Sequence, residues 1–380
     1  MSTASPARAL AALFIASLAL RPQLVGLGPL LPQIQEELEI SHGLAGLLTT
    51  VPVLCMAVFA LPAVRIAHRI GLKAAMTLAI AAIAFFGALR PVIAAYPAVL
   101  LATVGVGIGI GLGGALLPRA VRLLARDRVG LATGLYSGGI QTGATIAAAT
   151  AAPLSLLVDW RLALLVFASA AAVVLVGWLV TTRQFASVAT EEAWPSFPWT
   201  SPAAWRMVGI FALNSLCFYG LITWLPSAFV DIGWSQSDAG RLVALLNLAG
   251  LPACFLIPWI SDRSISRHRY VFAGGLATAV AIGGLLAAPE AAFAWVALAG
   301  IGLGALFPLS MTLPIDVGPH DVAGHAAMML TGGYGVAAAA PAALGWMRDV
   351  TGGFALPFWI LLVSALLLCA LSIRELAPRR

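Results

Sequence analysis

Apolar stretches of about twenty residues recur along the whole chain, and they leave few folds open to it. Each is long enough to cross a hydrocarbon layer of roughly 30 Å as a helix. Inside such a layer every backbone N–H and C=O needs a partner within the protein, so only helices and closed barrels remain. Barrel strands would alternate polar and apolar residues over about ten positions, and that alternation is absent. The reading is an all-α membrane protein with about twelve spans, near 9–33, 43–64, 74–94, 97–118, 130–157, 162–182, 206–231, 241–260, 270–288, 292–314, 323–345 and 354–374. Composition agrees: 9% of the residues are charged and 61% hydrophobic, whereas about a quarter of a soluble domain is charged.

The chain also repeats itself. Leu31-Pro32, Ser41 and Ala45-Gly46 return 194 residues later as Leu225-Pro226, Ser235 and Ala239-Gly240. The same offset carries His68-Arg69 onto Asp262-Arg263 and Gly138-Gly139 onto Gly332-Gly333. With a small slip, Gly109–Pro118 (GIGLGGALLP) returns as Gly300–Pro308 (GIGLGALFP). Two similar apolar halves are a common plan of secondary transporters, in which the substrate lies between repeats that rock against each other.

The net charge of +6 does not point to nucleic acid. With a cytoplasmic N-terminus, about sixteen Lys and Arg fall on cytoplasmic ends or loops, as the positive-inside rule demands. They include Arg65, Arg69, Lys73, Arg119, Arg122, Arg126, Arg128, Arg263, Arg267 and Arg269, against Arg90, Arg161, Arg241 and Arg348 on the outer side. Both termini are expected in the cytoplasm. The run Ala9–Leu20 resembles a signal peptide, but apolar sequence resumes past Arg21-Pro22 to Leu31, so it reads as the first span. Cys55, Cys217, Cys254 and Cys369 are scattered through apolar segments without ligand spacing and read as small buried residues.

One break in the pattern, 183–205, holds Glu191, Glu192 and three prolines and separates six spans from six. The expected domains are a six-helix bundle over 1–182, a cytoplasmic connector over 183–205 and a second bundle over 206–380. No loop is long enough to house an extramembrane catalytic domain. A membrane enzyme would need a nucleophile–base pair, a metal cluster or an acidic dyad, and none is found. Gly105, Gly107, Gly109, Gly111, Gly113 and Gly114 in the fourth span, and Gly300, Gly302 and Gly304 in the tenth, read as surfaces for close helix packing. A phosphate loop would need a following Lys-Ser/Thr, which is missing.

Twelve helices in two halves resemble the major facilitator superfamily. Its motif after the second helix, Gly-x-x-x-Asp-Arg-x-Gly-Arg-Lys, is matched in part by Arg69, Gly71 and Lys73, and its second-half copy, with Pro258 in place of the Gly, by Asp262 and Arg263. Val64 and His68 replace the motif's Gly and Asp, a departure that bears on the cytoplasmic gate. Within the superfamily the chain is similar to the cyanate and 2-nitroimidazole transporter group through Leu20-Arg21-Pro22, Gly28–Pro32, Ile222–Pro226, Asp231-Ile232-Gly233 and Gly302–Pro308. The resemblance implies alternating access in a bacterial inner membrane. It implies a monomer without cofactor or metal, with a small molecule and the lipid bilayer as partners. Arg69, Arg119, Arg122, Asp262 and Arg263 would be gate or conformational residues.

Arg21 is the sharpest candidate for chemistry. A cation midway along a span costs roughly 2.5–3.5 kcal/mol on insertion scales and marks a substrate path by default. Pro22 removes a helix donor beside it. All fifteen Asp and Glu read as lying near helix ends or in loops. Arg21 therefore invites a substrate anion, the alternative being a structural Arg satisfied by carbonyls. The repeat maps it onto Ser215 beside Asn214, neutral groups that suit a small monovalent anion better than phosphate or a dicarboxylate. Gln23, Gln141, Asn214, Tyr219, Trp224, Asn247 and Tyr334 complete the expected substrate set. Thr49, Thr50 and Tyr136 are further polar residues at suitable depth. The expected function is transport of a cyanate-like anion. A small neutral compound such as a 2-nitroimidazole is the alternative, and the mode of coupling stays open.

Overall fold

The computed structural model describes residues 6–125, 128–185, 196–261 and 267–373. Among them are eleven helices long and apolar enough to span a membrane, and a twelfth span if the bent pair His42–Val58 and Ala60–Ile70 is taken as one. The chain falls into two compact units, Met1–Leu38 with Val51–Ala193, and Glu39–Thr50 with Trp194–Arg380.

The first unit opens with a span in three pieces: α1 (Pro6–Leu18), α2 (Pro22–Val25) and α3 (Leu31–Leu38). The break at 19–21 follows from Pro22, which has no N–H to offer the carbonyl of Leu18. The helix that carries Gly143 comes close at that carbonyl because Gly143 presents no side chain to it. Helix α4 (His42–Val58) begins in the second unit and ends in the first, and α5 (Ala60–Ile70) leaves it at a bend of 58°. Then come α6 (Leu72–Leu89), a 3₁₀ turn at Arg90–Val92, α7 (Tyr96–Leu124), α8 (Val129–Leu157) and α9 (Trp160–Thr181).

The glycines of α7 act as contact surfaces. A Cβ at Gly109 would lie 2.6 Å from the carbonyl oxygen of Ala79, and one at Gly111 2.6 Å from that of Cys55. Without side chains, α7 closes on the backbone of α6 and of α4, which is how membrane helices gain packing energy where no water drives them together. At one end of this unit Glu37 accepts from Trp160 Nε1 and from Arg161, whose Nη1 also donates to the carbonyls of Pro91 (2.9 Å) and Ile93 (3.0 Å).

The second unit holds α10 (Pro202–Asp231), α11 (Gln236–Ser261), α12 (Arg267–Ala287), α13 (Ala292–Val317), α14 (Val322–Ala337), α15 (Ala339–Thr351) and α16 (Ala355–Ser372). Ser201 caps α10 through Ala204 N (3.2 Å), and Asp321 caps α14 through Gly324 N (2.8 Å), each satisfying a donor that a helix start leaves free. Gly250 and Gly304 bring α11 and α13 into backbone contact.

The start of α4 is welded into this unit. Asp349 accepts from His42 N (3.1 Å) and Gly43 N (2.8 Å), and lies 2.8 Å from His42 Nδ1. Thr50 Oγ1 accepts from Ala342 N at 3.1 Å. A carboxylate 307 residues away thus caps α4, and the unit boundary falls inside that helix rather than at the 183–205 segment alone.

Candidate functional site

In the first unit Arg21 occupies the gap between α1 and α2, with φ −117° and ψ −28°, and is 8% exposed. Its carbonyl accepts from Leu24 N and Val25 N, so the residue starts the short α2 turn. Arg21 also engages protein groups, which replaces the picture of a wholly solitary cation. Charge at a discontinuity in a span is the arrangement that transporters use to meet charged cargo.

Gln23 is fully buried and committed to the protein. Its Nε2 donates to Leu164 O (3.2 Å), and its Oε1 accepts from Arg90 Nη1 (3.2 Å). Arg90 is the residue whose burial was not read from the sequence. Its place at a helix end suggests a surface anchor, yet it is 0% exposed. Its Nε donates to Thr103 Oγ1 (2.9 Å) and its Nη1 also to Gln23 O (3.1 Å).

The broken span explains the last bond. Leu27 N, the donor that a continuous helix would aim at Gln23 O, bonds Leu24 O instead. The orphaned carbonyl is served by Arg90, which ties α2, α7 and the turn after α6 together. The available sequence signal was the second Arg-Pro pair, Arg90-Pro91, echoing Arg21-Pro22.

Gln141 is half-buried on α8, between Gly139 and Gly143, whose bare faces press on Ser17, Phe14 and Leu18 of α1. Arg69 is exposed at the end of α5, Arg122 is exposed on α7 and Arg119 is buried there. Both α7 arginines engage protein groups. Asp262 and Arg263 lie outside the described residues. Beside that segment, Arg267 pairs with Asp316 at 2.9 Å.

In the second unit the structure brings Tyr219 of α10 and Tyr334 of α14 together, with ring centroids 6.3 Å apart. Phe211 meets Tyr334 edge-on at 4.9 Å and Phe307 at 6.3 Å. Gly333 opens the space that the Phe211 ring fills. Asn214, one turn from Phe211 on α10, is 2% exposed, and its Oδ1 has no hydrogen-bond partner among the described residues. A buried amide oxygen left open in this way is rare in folded proteins and calls for a ligand, an ion or water.

Asn247 is fully buried and donates through Nδ2 to Val243 O one turn back (2.9 Å). Trp224 is not part of the tyrosine group. Its single donor, Nε1, goes to Pro341 O (2.7 Å), and its ring sits 5.6 Å from His42 and 5.7 Å from Phe354. It belongs to the packing that seats α4 against α15. His42 and Asp349 were missed for a simple reason: no local spacing announces a bond across 307 residues.

Comparison with known proteins accords with this geometry. The model of the Major Facilitator Superfamily matches residues 10–340. An uncharacterized transporter of Bacillus subtilis (strain 168), YycB, is 30% identical over 92% of this chain and 88% of its own length. The 2-nitroimidazole transporter of Escherichia coli (strain K12) is 30% identical over 94% of this chain and 93% of its own. The cyanate transport protein CynX of the same organism is 29% identical over 90% of each.

Among solved structures, an inward-facing bacterial homologue of the human lysosomal transporter Spinster superposes with a TM-score of 0.80 at 18% identity, covering 98% of this chain and 97% of that one. A D-xylose–proton symporter superposes with a TM-score of 0.77 at 15% identity, covering 98% of each. The fold, the family match over residues 10–340 and the transporter relatives agree: the chain belongs to the major facilitator superfamily, as a multi-pass membrane transporter and not an enzyme.

Proposed function

We propose that this transporter moves a small monovalent anion of the cyanate type by alternating access, with Arg21 as its principal contact. The observation that carries the reading is the break in the first span, where a buried Arg sits outside regular helix. A guanidinium there supplies charge and directional donors in a low-dielectric setting, and binds a small anion without matching a dianion. Resemblance to CynX across 90% of the chain supports it. The open Oδ1 of Asn214 and the hydroxyls of Tyr219 and Tyr334 are the neutral groups assigned to the substrate path. Gln141 and Asn247 support them. Gln23 acts by shaping the break. The protein works as a monomer with both termini in the cytoplasm, and Arg69, Arg119, Arg122, Asp262 and Arg263 serve gating.

A second reading, transport of a flat neutral heteroaromatic such as a 2-nitroimidazole, is favoured by the aromatic cluster of Phe211, Tyr219, Phe307 and Tyr334, since ring faces and edges pair with a planar ligand. Counterflow in proteoliposomes with labelled cyanate, nitrite and 2-nitroimidazole separates the two. The anion reading expects exchange of cyanate that is abolished in Arg21→Gln at unchanged yield and melting temperature. Full cyanate exchange by that variant, or exchange of 2-nitroimidazole alone by the wild type, refutes it.

A further inference from the structure

One cavity lies wholly inside the second unit, at the C-terminal end of α10. It measures about 520 Å³, and its lining includes Phe229, Asp231, Leu285, Arg348, Gly353 and Phe358, from α10, α12, α15, α16 and the turn between the last two. This volume is in the range of small-molecule sites, roughly 300–1,000 Å³. None of these residues figures in the transport reading above.

The polar groups of the cavity are incompletely used. Arg348 donates through Nε (3.2 Å) and Nη2 (2.8 Å) to a single oxygen of Asp231, Oδ2. Asp231 Oδ1 and Arg348 Nη1 have no protein partner among the described residues. The pair therefore offers one acceptor and one donor to a ligand without being broken, and its net charge is zero. A lone anion would meet Asp231 as well as Arg348. A lone cation would meet the reverse. The complementary ligand carries both charges a few ångströms apart.

The surroundings say which zwitterion. Ile232, part of the lining, is 58% exposed, and α15 and α16, which also contribute to the lining, carry the exposed apolar side chains Trp346, Val350 (66%), Leu356 (44%) and Trp359. Exposed tryptophans at the ends of spans mark the headgroup level of a bilayer, so the neighbour of this cleft is lipid. Phe229, Leu285 and Phe358 give the glycerol and upper acyl chain an apolar wall.

We propose that this cleft binds the headgroup of a phospholipid bearing a primary ammonium and a phosphate, with the phosphate on Arg348 Nη1 and the ammonium on Asp231 Oδ1. A primary ammonium donates to a carboxylate, whereas a trimethylammonium has no N–H to give. A hydrogen bond to a charged group contributes about 1.5–3 kcal/mol, so losing it weakens binding about ten-fold or more.

The test is native mass spectrometry of the full chain in detergent, titrated with phosphatidylethanolamine, its mono- and dimethyl derivatives, phosphatidylcholine and phosphatidylglycerol. The expected result is retention that persists while the ammonium keeps an N–H and falls by about ten-fold or more at the trimethyl step, with phosphatidylglycerol also weak. Asp231→Asn should erase the difference between the ethanolamine and choline lipids. Gly353→Phe should abolish retention of both, because a side chain at Gly353 meets open space and fills the cleft. Equal retention of the ethanolamine and choline lipids by the wild type overturns the proposal, as does preference for phosphatidylglycerol, or an Asp231→Asn protein that still discriminates. The methylation series decides the matter on the wild type alone if a variant fails to fold.

Discussion

Replacing Arg90 by Met tests whether the break at Arg21 is held from outside. The change leaves two buried acceptors, Gln23 O and Oε1, without their donor, at about 1–3 kcal/mol each. Thr103 loses only an incoming bond and keeps its own to Val99 O (2.8 Å). Against that, the substitution removes a buried cation, whose cost at the centre of a span is about 2.5–3.5 kcal/mol.

The two effects partly offset each other, leaving a net change between a gain of about 1.5 kcal/mol and a loss of about 3.5 kcal/mol. At about 2–4 °C per kcal/mol for a unit of this size, the melting temperature should fall by no more than about 14 °C. Transport should suffer more. Gln23 O is two residues from Arg21, and a misplacement of about 1 Å at a binding group costs on the order of a hundred-fold in rate where geometry governs the step. Initial rates of counterflow, measured alongside thermal unfolding in detergent, separate the two. Arg90→Lys keeps the charge but cannot reach Thr103 Oγ1 and Gln23 O together, and should fall between Met and wild type. An Arg90→Met protein that transports at the wild-type rate would show that the network does not position Arg21.

Three further outcomes follow from the geometry. Asn214→Ala should weaken apparent substrate affinity without lowering the melting temperature, because the deleted oxygen has no protein partner to abandon; an equal loss of yield and affinity would make Asn214 structural. Asp349→Ala removes the cap from two backbone donors of α4 and should destabilise the protein by about 0.5–2 kcal/mol, read as a lower unfolding temperature; no shift would mean that the contact is idle. Gly109→Leu forces side-chain atoms into the backbone of Ala79 and the side chain of Ile83 and should sharply reduce folded yield, whereas Gly114→Leu, which meets open space, should be tolerated; equal yields would refute the role assigned to the α7 glycine face.

What the sequence alone determined about this protein is what a bilayer reads directly. Hydrocarbon demands long apolar helices, so the all-helical architecture and the count of spans followed from composition by segment. The interruption at Arg21-Pro22 was legible for an equally local reason, a missing N–H. The glycine faces of α7 and α13 announced close packing by their spacing. Tertiary structure decided which polar side chains serve the protein and which stay open. Gln23 and Arg90 lie 67 residues apart and His42 and Asp349 307 apart, and Trp224 reaches Pro341 O rather than the tyrosine cluster. Such bonds depend on which helix faces meet, and a hydrogen bond reaches only about 3 Å, so no spacing along the chain encodes them.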